Sequence, residues 1–231
     1  DGGDLNLQYA GDISTSGALA YGLIAQSIGG GGGKLTLEGL DSLDLALGSS
    51  GGSTGNGGDI LLSNSGSIMT TGSRSNGVII QSIGGGGGAA FTDLAAAKIN
   101  LSLNAANSGN GGNISFDQHG DIIVTGEDSI AVFAQSLGGG GGLVDRAFAG
   151  TAGGAGISGE ISLNLNGNVL AEGRNGIAVF AQSRAAGGQG DIDVELAAGK
   201  IIHAGINGVG LRLSGGADNR FTNRGNDMTA D

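Results

Sequence analysis

Apolar residues alternate with polar ones at five places along the chain: Leu5 and Leu7, Ile60 and Leu62, Ile114 and Phe116, Ile161 and Leu163, Ile192 and Val194. A period of two predicts a strand with one buried face. A second, shorter apolar centre follows each pair, at Ile13, Ile68, Ile122, Val169 and Ile201. A third element is apolar on both faces. It reads Leu23-Ile24-Ala25-Gln26-Ser27-Ile28 before the glycines 29–33. It returns at 78–83 before the glycines 84–88, and at 130–137 before the glycines 138–142. The fourth copy, 177–183, runs instead into Arg184-Ala185-Ala186-Gly187-Gly188. Glycines at 11, 17, 66, 72, 120, 126, 167, 173, 199 and 205 separate the elements, and positive-φ turns are expected there.

Spacing decides how these elements assemble. Units begin at Asp4, Asp59, Asn113, Glu160 and Asp191, at intervals of 55, 54, 47 and 31 residues. Segments 34–58, 89–112 and 143–159, of 25, 24 and 17 residues, lie between a glycine run and the next unit. Subtracting them leaves 30 in each case, beside the 31 of the interval that has no such segment. A constant rung of about thirty residues with three strands predicts an all-β coil of parallel strands, a β-solenoid. The three segments are insertions, and Leu35-Thr36-Leu37 and 43–47 alternate as a hairpin would. A partial rung near 217 leads to Gly225, and the pattern is expected to continue on either side as part of a longer chain.

Rungs in a solenoid stack at the strand spacing of about 4.8 Å, so like residues form columns. Gln26, Gln81, Gln135 and Gln182 are expected to stack amide on amide, with Ser27, Ser82, Ser136 and Ser183 beside them. Ala25, Ala134 and Ala181 belong inside with Leu23, Val78, Val132 and Val179. Ile24, Ile79, Phe133 and Phe180 then point outward. A strand apolar on both faces is covered on both. The insertions, or the long glycine loops, are expected to fold back over that face, a neighbouring insertion serving Phe180, and an end-to-end partner is the other possible cover.

Composition narrows the function. Glycine accounts for 53 of 231 residues, proline, cysteine and tryptophan are absent, and the net charge is −11. That balance, without a Lys/Arg run, argues against nucleic acid. Absent cysteine excludes disulfides and thiolate metal sites. No apolar run reaches membrane-spanning length, so this segment is not expected to insert into a bilayer.

Catalytic and metal chemistry find little support. His119 and His203 each lack a second ligand nearby and read as structural. No Gly-x-Ser-x-Gly precedes a helical pattern, and the glycine runs lack the lysine and helix of a phosphate loop. Asp4, Asp59 and Asp191 align with Asn113 and Glu160, which fits turn chemistry better than paired catalytic carboxylates. The stretch 187–193 puts Ile192 where a calcium-binding repeat carries an aspartate. Thr15, Thr70 and Thr125 suggest a threonine row that breaks at Glu172 and His203. No catalytic residue, metal ligand or cofactor is assigned.

The rungs resemble passenger domains of bacterial autotransporters, the type V secretion family. The likeness rests on Asn64-Ser65-Gly66-Ser67-Ile68-Met69-Thr70-Thr71-Gly72 through Asn76-Gly77-Val78, and on Ala-Gln-Ser-Ile followed by five glycines. It implies a right-handed parallel β-helix at the cell surface, with an outer-membrane barrel elsewhere in the full-length chain. It also implies a non-enzymatic stalk and adhesin for a host-cell, matrix or glycan ligand. A polysaccharide-degrading β-helix and a pure spacer for a distal domain are the alternatives.

Overall fold

The computed structural model describes residues 1–37, 43–47, 54–92, 99–103, 108–144, 147–149, 155–224 and 228–230. Its regular elements are all strands. The first rung holds β1 (Leu5–Tyr9), β2 (Ile13–Thr15) and β3 (Leu23–Ile28), followed by β4 (Gly32–Leu37) and β5 (Leu43–Leu47). The second holds β6 (Ile60–Asn64), β7 (Ile68–Thr70), β8 (Val78–Ile83), β9 (Gly87–Thr92) and β10 (Ile99–Leu103). The third holds β11 (Ile114–Gln118), β12 (Ile122–Val124), β13 (Ile130–Leu137), β14 (Gly141–Val144) and β15 (Ala147–Ala149). The fourth is β16 (Ile161–Leu165), β17 (Val169–Ala171) and β18 (Ile177–Arg184). The fifth is β19 (Ile192–Leu196), β20 (Ile202–Ala204) and β21 (Val209–Gly215). β22 (Asn219–Asn223) and β23 (Met228–Ala230) start a sixth. Residues 225–227, the expected corner at Gly225, lie outside the described residues.

These strands stack into three parallel sheets, the architecture of a parallel β-helix. Sheet A runs β1-β6-β11-β16-β19-β22, sheet B runs β2-β7-β12-β17-β20-β23, and sheet C runs β3-β8-β13-β18-β21. Inward side chains of all three meet in one inner core. Ile60, Ile114, Ile161 and Ile192 form one of its columns, and Leu62, Phe116, Leu163 and Val194 another. Each such burial removes an apolar side chain from water and contributes about 1.5–3 kcal/mol.

The insertions correct the hairpin expectation. β4 does not turn back on β5. It pairs in parallel with β9, and β5 pairs in parallel with β10. The rung above supplies an in-register partner of nearly equal length, so the insertions stack as the rungs do. Among the described residues, the antiparallel pair is β14 with β15, in the third insertion. The boundary also moves: β4, β9 and β14 begin on the glycines themselves, at Gly32, Gly87 and Gly141.

Sheet D, ordered β15-β14-β9-β4, covers sheet C. Gly30 and Gly31 (φ 87° and 93°) fold the chain back so tightly that a Cβ on Gly32 would lie 2.9 Å from Ile28 Cγ2. Leu143 of this layer packs with Ile79, Ile130, Phe133, Ile177 and Phe180 to form an outer core. β15 borders β14 on the side away from β9 and so takes the place a fourth cover strand would have. Phe180, in the rung without an insertion, is buried against this outer core, with the Arg212 guanidinium over its ring.

The corner glycines act differently from expectation. Of the ten named above, Gly199 alone has positive φ, at 74°. Seven of the others permit close approach of the neighbouring rung's backbone: a Cβ on Gly72 would lie 2.0 Å from the Gly17 carbonyl oxygen, and one on Gly126 1.7 Å from that of Gly72. Positive φ falls instead on Leu19, Arg74, Asp128, Asn175 and Asn207, at 54–57°. The turn at Gly199 is two residues longer than its counterpart in rung four: five residues separate Leu196 from Ile202, against three between their partners Leu165 and Val169. Ile202, not Ile201, pairs with Val169, and Ile201 is exposed.

Candidate functional site

Sheet C carries the glutamine column on its outward face. Gln26 Nε2 donates to Gln81 Oε1 at 2.6 Å, Gln81 to Gln135 at 2.7 Å, and Gln135 to Gln182 at 2.7 Å. Gln182 in turn donates to Ser214 Oγ at 3.4 Å. Strand alternation puts these amides on the same face as Phe133 and Phe180, beneath sheet D. A buried amide keeps both its donor and acceptor satisfied there by its equivalents one rung away.

The serines face the opposite way, into the coil, because they are the next residue along the strand. Ser82 Oγ donates to Gly58 O at 2.7 Å and accepts from Gly112 N–H at 2.8 Å. Ser27 and Ser136 do the same between Gly3 and Gly58, and between Gly112 and Gly159. Each hydroxyl thus ties the end of a third strand to the start of two rungs. Ser183 donates to Gly159 O and meets Ser158 Oγ at 2.9 Å. Replacing Ser82 with alanine leaves the half-buried Gly58 carbonyl and Gly112 N–H without this partner. The expected loss is about 2 kcal/mol of unfolding free energy, read by urea titration.

Sequence reasoning missed a set of staples between rungs. Asp4 Oδ1 accepts from Asp59 N–H, Asp59 Oδ1 from Asn113 N–H, and Asn113 Oδ1 from Glu160 N–H, at 2.7–2.9 Å. Asp12, Asp121 and Asn168 do the same at a second corner, and Asp1, Asn56 and Asn110 at a third. Turn chemistry alone would keep the aligned acids within their own rung. They reach the neighbouring rung instead, about 4.8 Å away, which a short Asx side chain can span. The recurrence of Asp or Asn at one phase of the repeat was the available signal. Asn64 and Gln118 form a second, interior amide pair at 3.0 Å, and Leu165 replaces it in the next rung.

The open outer face of sheet A is polar. Its groove of about 300 Å³ is bordered by Asp4, Asn6, Asp59, Leu61, Asn113 and Ser115. Farther along, Arg220 pairs with Asp193 at 2.6 Å and Arg224 with Glu195 at 2.7 Å. The Asp193 hydrogen bond and then its charge hold the Arg220 guanidinium above its ordinary pKa. Asp191 Oδ1 accepts from Asp218 N–H, so both acids of the stretch 187–193 are engaged within the protein. Thr15 and Thr70 turn inward, their hydroxyls bonded to Ala20 O and Ser75 O. Val124, not Thr125, sits opposite Thr70, so there is no flat threonine row. His203 lies between Leu170 and Thr229 in the register of sheet B, and His119 bonds through its backbone to Asn64 O. Among the described residues, no three His, Asp or Glu side chains are grouped to hold a metal ion.

Compared with protein-family models, with characterised proteins and with solved structures, the chain matches none.

Proposed function

We propose that this chain is a rigid stalk of the autotransporter-passenger type, displayed at the surface of a Gram-negative cell, with its inserted segments as the adhesive contacts. The observation that supports this reading is continuity of register. β6, β11 and β16 resume the coil in step although insertions of 25, 24 and 17 residues interrupt it. A rod that tolerates long excursions without losing register is suited to presenting them, and segments carried on a rigid scaffold are where binding concentrates. The ligand class is a host-cell, matrix or glycan surface, and an outer-membrane barrel in the same full-length chain is the proposed anchor.

Sheet D separates the two jobs of the insertions. β4 and β9 belong to sheet D, whereas 38–53 and 93–107 are the stretches that follow them in the chain. Replacing those two stretches with short Gly-Ser linkers in the displayed full-length protein keeps the cover strands. Adherence to host cells or matrix is expected to fall to the level of cells lacking the protein. Unchanged adherence would favour the spacer reading. Sustained product release from a polysaccharide by the purified segment would favour the enzyme.

A further inference from the structure

We infer that Asn166 is the site at which this protein ages chemically, by spontaneous deamidation. The chain contains six Asn-Gly pairs, at Asn56, Asn76, Asn110, Asn166, Asn175 and Asn207, all among the described residues. Glycine after asparagine leaves the backbone nitrogen unshielded. That nitrogen can attack the side-chain carbonyl carbon, so by sequence all six are labile.

The fold distinguishes them. Attack needs a free glycine N–H and a side-chain amide able to swing toward it. Gly57 N–H donates to Asn110 O, Gly77 to Ile130 O, Gly111 to Ile157 O, Gly176 to Gly173 O, and Gly208 to Gly205 O, at 2.7–3.1 Å. Four of the side chains are held as well. Asn56 Oδ1 accepts from Asn110 N–H, Asn76 Oδ1 from Ile130 N–H, and Asn110 Oδ1 from Ile157 N–H; Asn175 Nδ2 donates to Asp128. At the corner between β16 and β17, Gly167 N–H and the half-buried Asn166 amide have no hydrogen-bond partner among the described residues.

In the reaction, base removes the Gly167 amide proton. The nitrogen then bonds to Asn166 Cγ, the Cγ–Nδ2 bond breaks, and Nδ2 leaves as ammonia with a proton from solvent. Water opens the resulting five-membered imide to aspartate or to isoaspartate. Isoaspartate lengthens the main chain by one carbon where a Cβ on Gly167 would already lie 2.0 Å from Gly120 O. It also displaces Asn168, whose backbone and side chain staple rung four to Asp121 and Ile201.

Peptide mapping with isoaspartate detection tests this after incubation of the folded protein in mildly alkaline buffer at 37 °C. Conversion at Asn166 is expected to outpace each of the other five by at least about fivefold, the penalty for first opening one hydrogen bond. In denaturant the six rates should converge. Asn166→Gln should remove the fast phase while circular dichroism stays that of the parent. Faster conversion at any of the five held sites in the folded protein would overturn the assignment. So would an ordering that persists unchanged in denaturant.

Discussion

Phe133→Ala is expected to lower the unfolding free energy by about 4 kcal/mol, within the range for deleting a buried ring. Phe133 is fully buried although it points away from the coil's interior. Its ring centroid lies 5.2 Å from that of Phe180, and Ile79, Ile130, Leu143 and Ile177 complete the outer core. Arg212 closes the far end of this cluster, its guanidinium 4.9 Å from the Phe180 centroid. Removing the ring leaves a cavity between two layers joined by glycine turns. The cover layer is therefore expected to loosen first. Amide exchange in β9 and β14 should accelerate more than in β11, which belongs to the inner core. A loss under 1 kcal/mol, read by urea titration, would mean that sheet D does not pack on sheet C.

Gln135→Leu is expected to cost about 3 kcal/mol despite its favourable hydropathy. The substitution conserves volume closely but takes the acceptor from Gln81 Nε2 and the donor from Gln182 Oε1, both in buried residues. Each buried polar group that loses its partner costs about 1–3 kcal/mol. Gln26→Leu, at the more accessible end of the column, breaks a single link and should cost less than half as much. Equal effects at the two positions, measured by urea titration, would show that the amides do not act as a connected column.

Much of the fold was legible because the solenoid repeats its chemistry at fixed phase. Subtracting three insertions exposed a constant rung. From that, the facing of Ile60, Val78 and Phe133 followed by alternation. What strand rules do not encode was harder to read. Gly72 and Gly126 look like turn glycines, yet they serve backbone-to-backbone contact, and Leu19 and Arg74 take the left-handed positions. The fifth rung's extra length is visible as a count, but only the local turn decides whether Ile201 or Ile202 enters the core. The alternation of 35–37 and 43–47 suited a hairpin equally well. Pairing with the next rung won because β9 and β10 arrive already aligned.

The candidate site was less legible for a related reason. Gln81 and Ser82 are neighbours in the chain and were expected side by side, but a strand sends them to opposite faces. The Asp and Asn staples use the same residue types as turn caps, so only the rung spacing shows that they reach across. No residue pattern names a ligand.

The in-register coil itself is tested most directly by one distance. The chain has no cysteine, so spin labels introduced as Gln8→Cys and Thr222→Cys occupy those sites alone. The two residues lie in the same column of sheet A, five rungs apart through Ser63, Asp117, Asn164 and Glu195. Pulsed electron-spin resonance should give a narrow distribution centred at about 24 Å, five strand spacings. A broad distribution, or a maximum well beyond that length, would contradict the stacked coil and everything inferred from it.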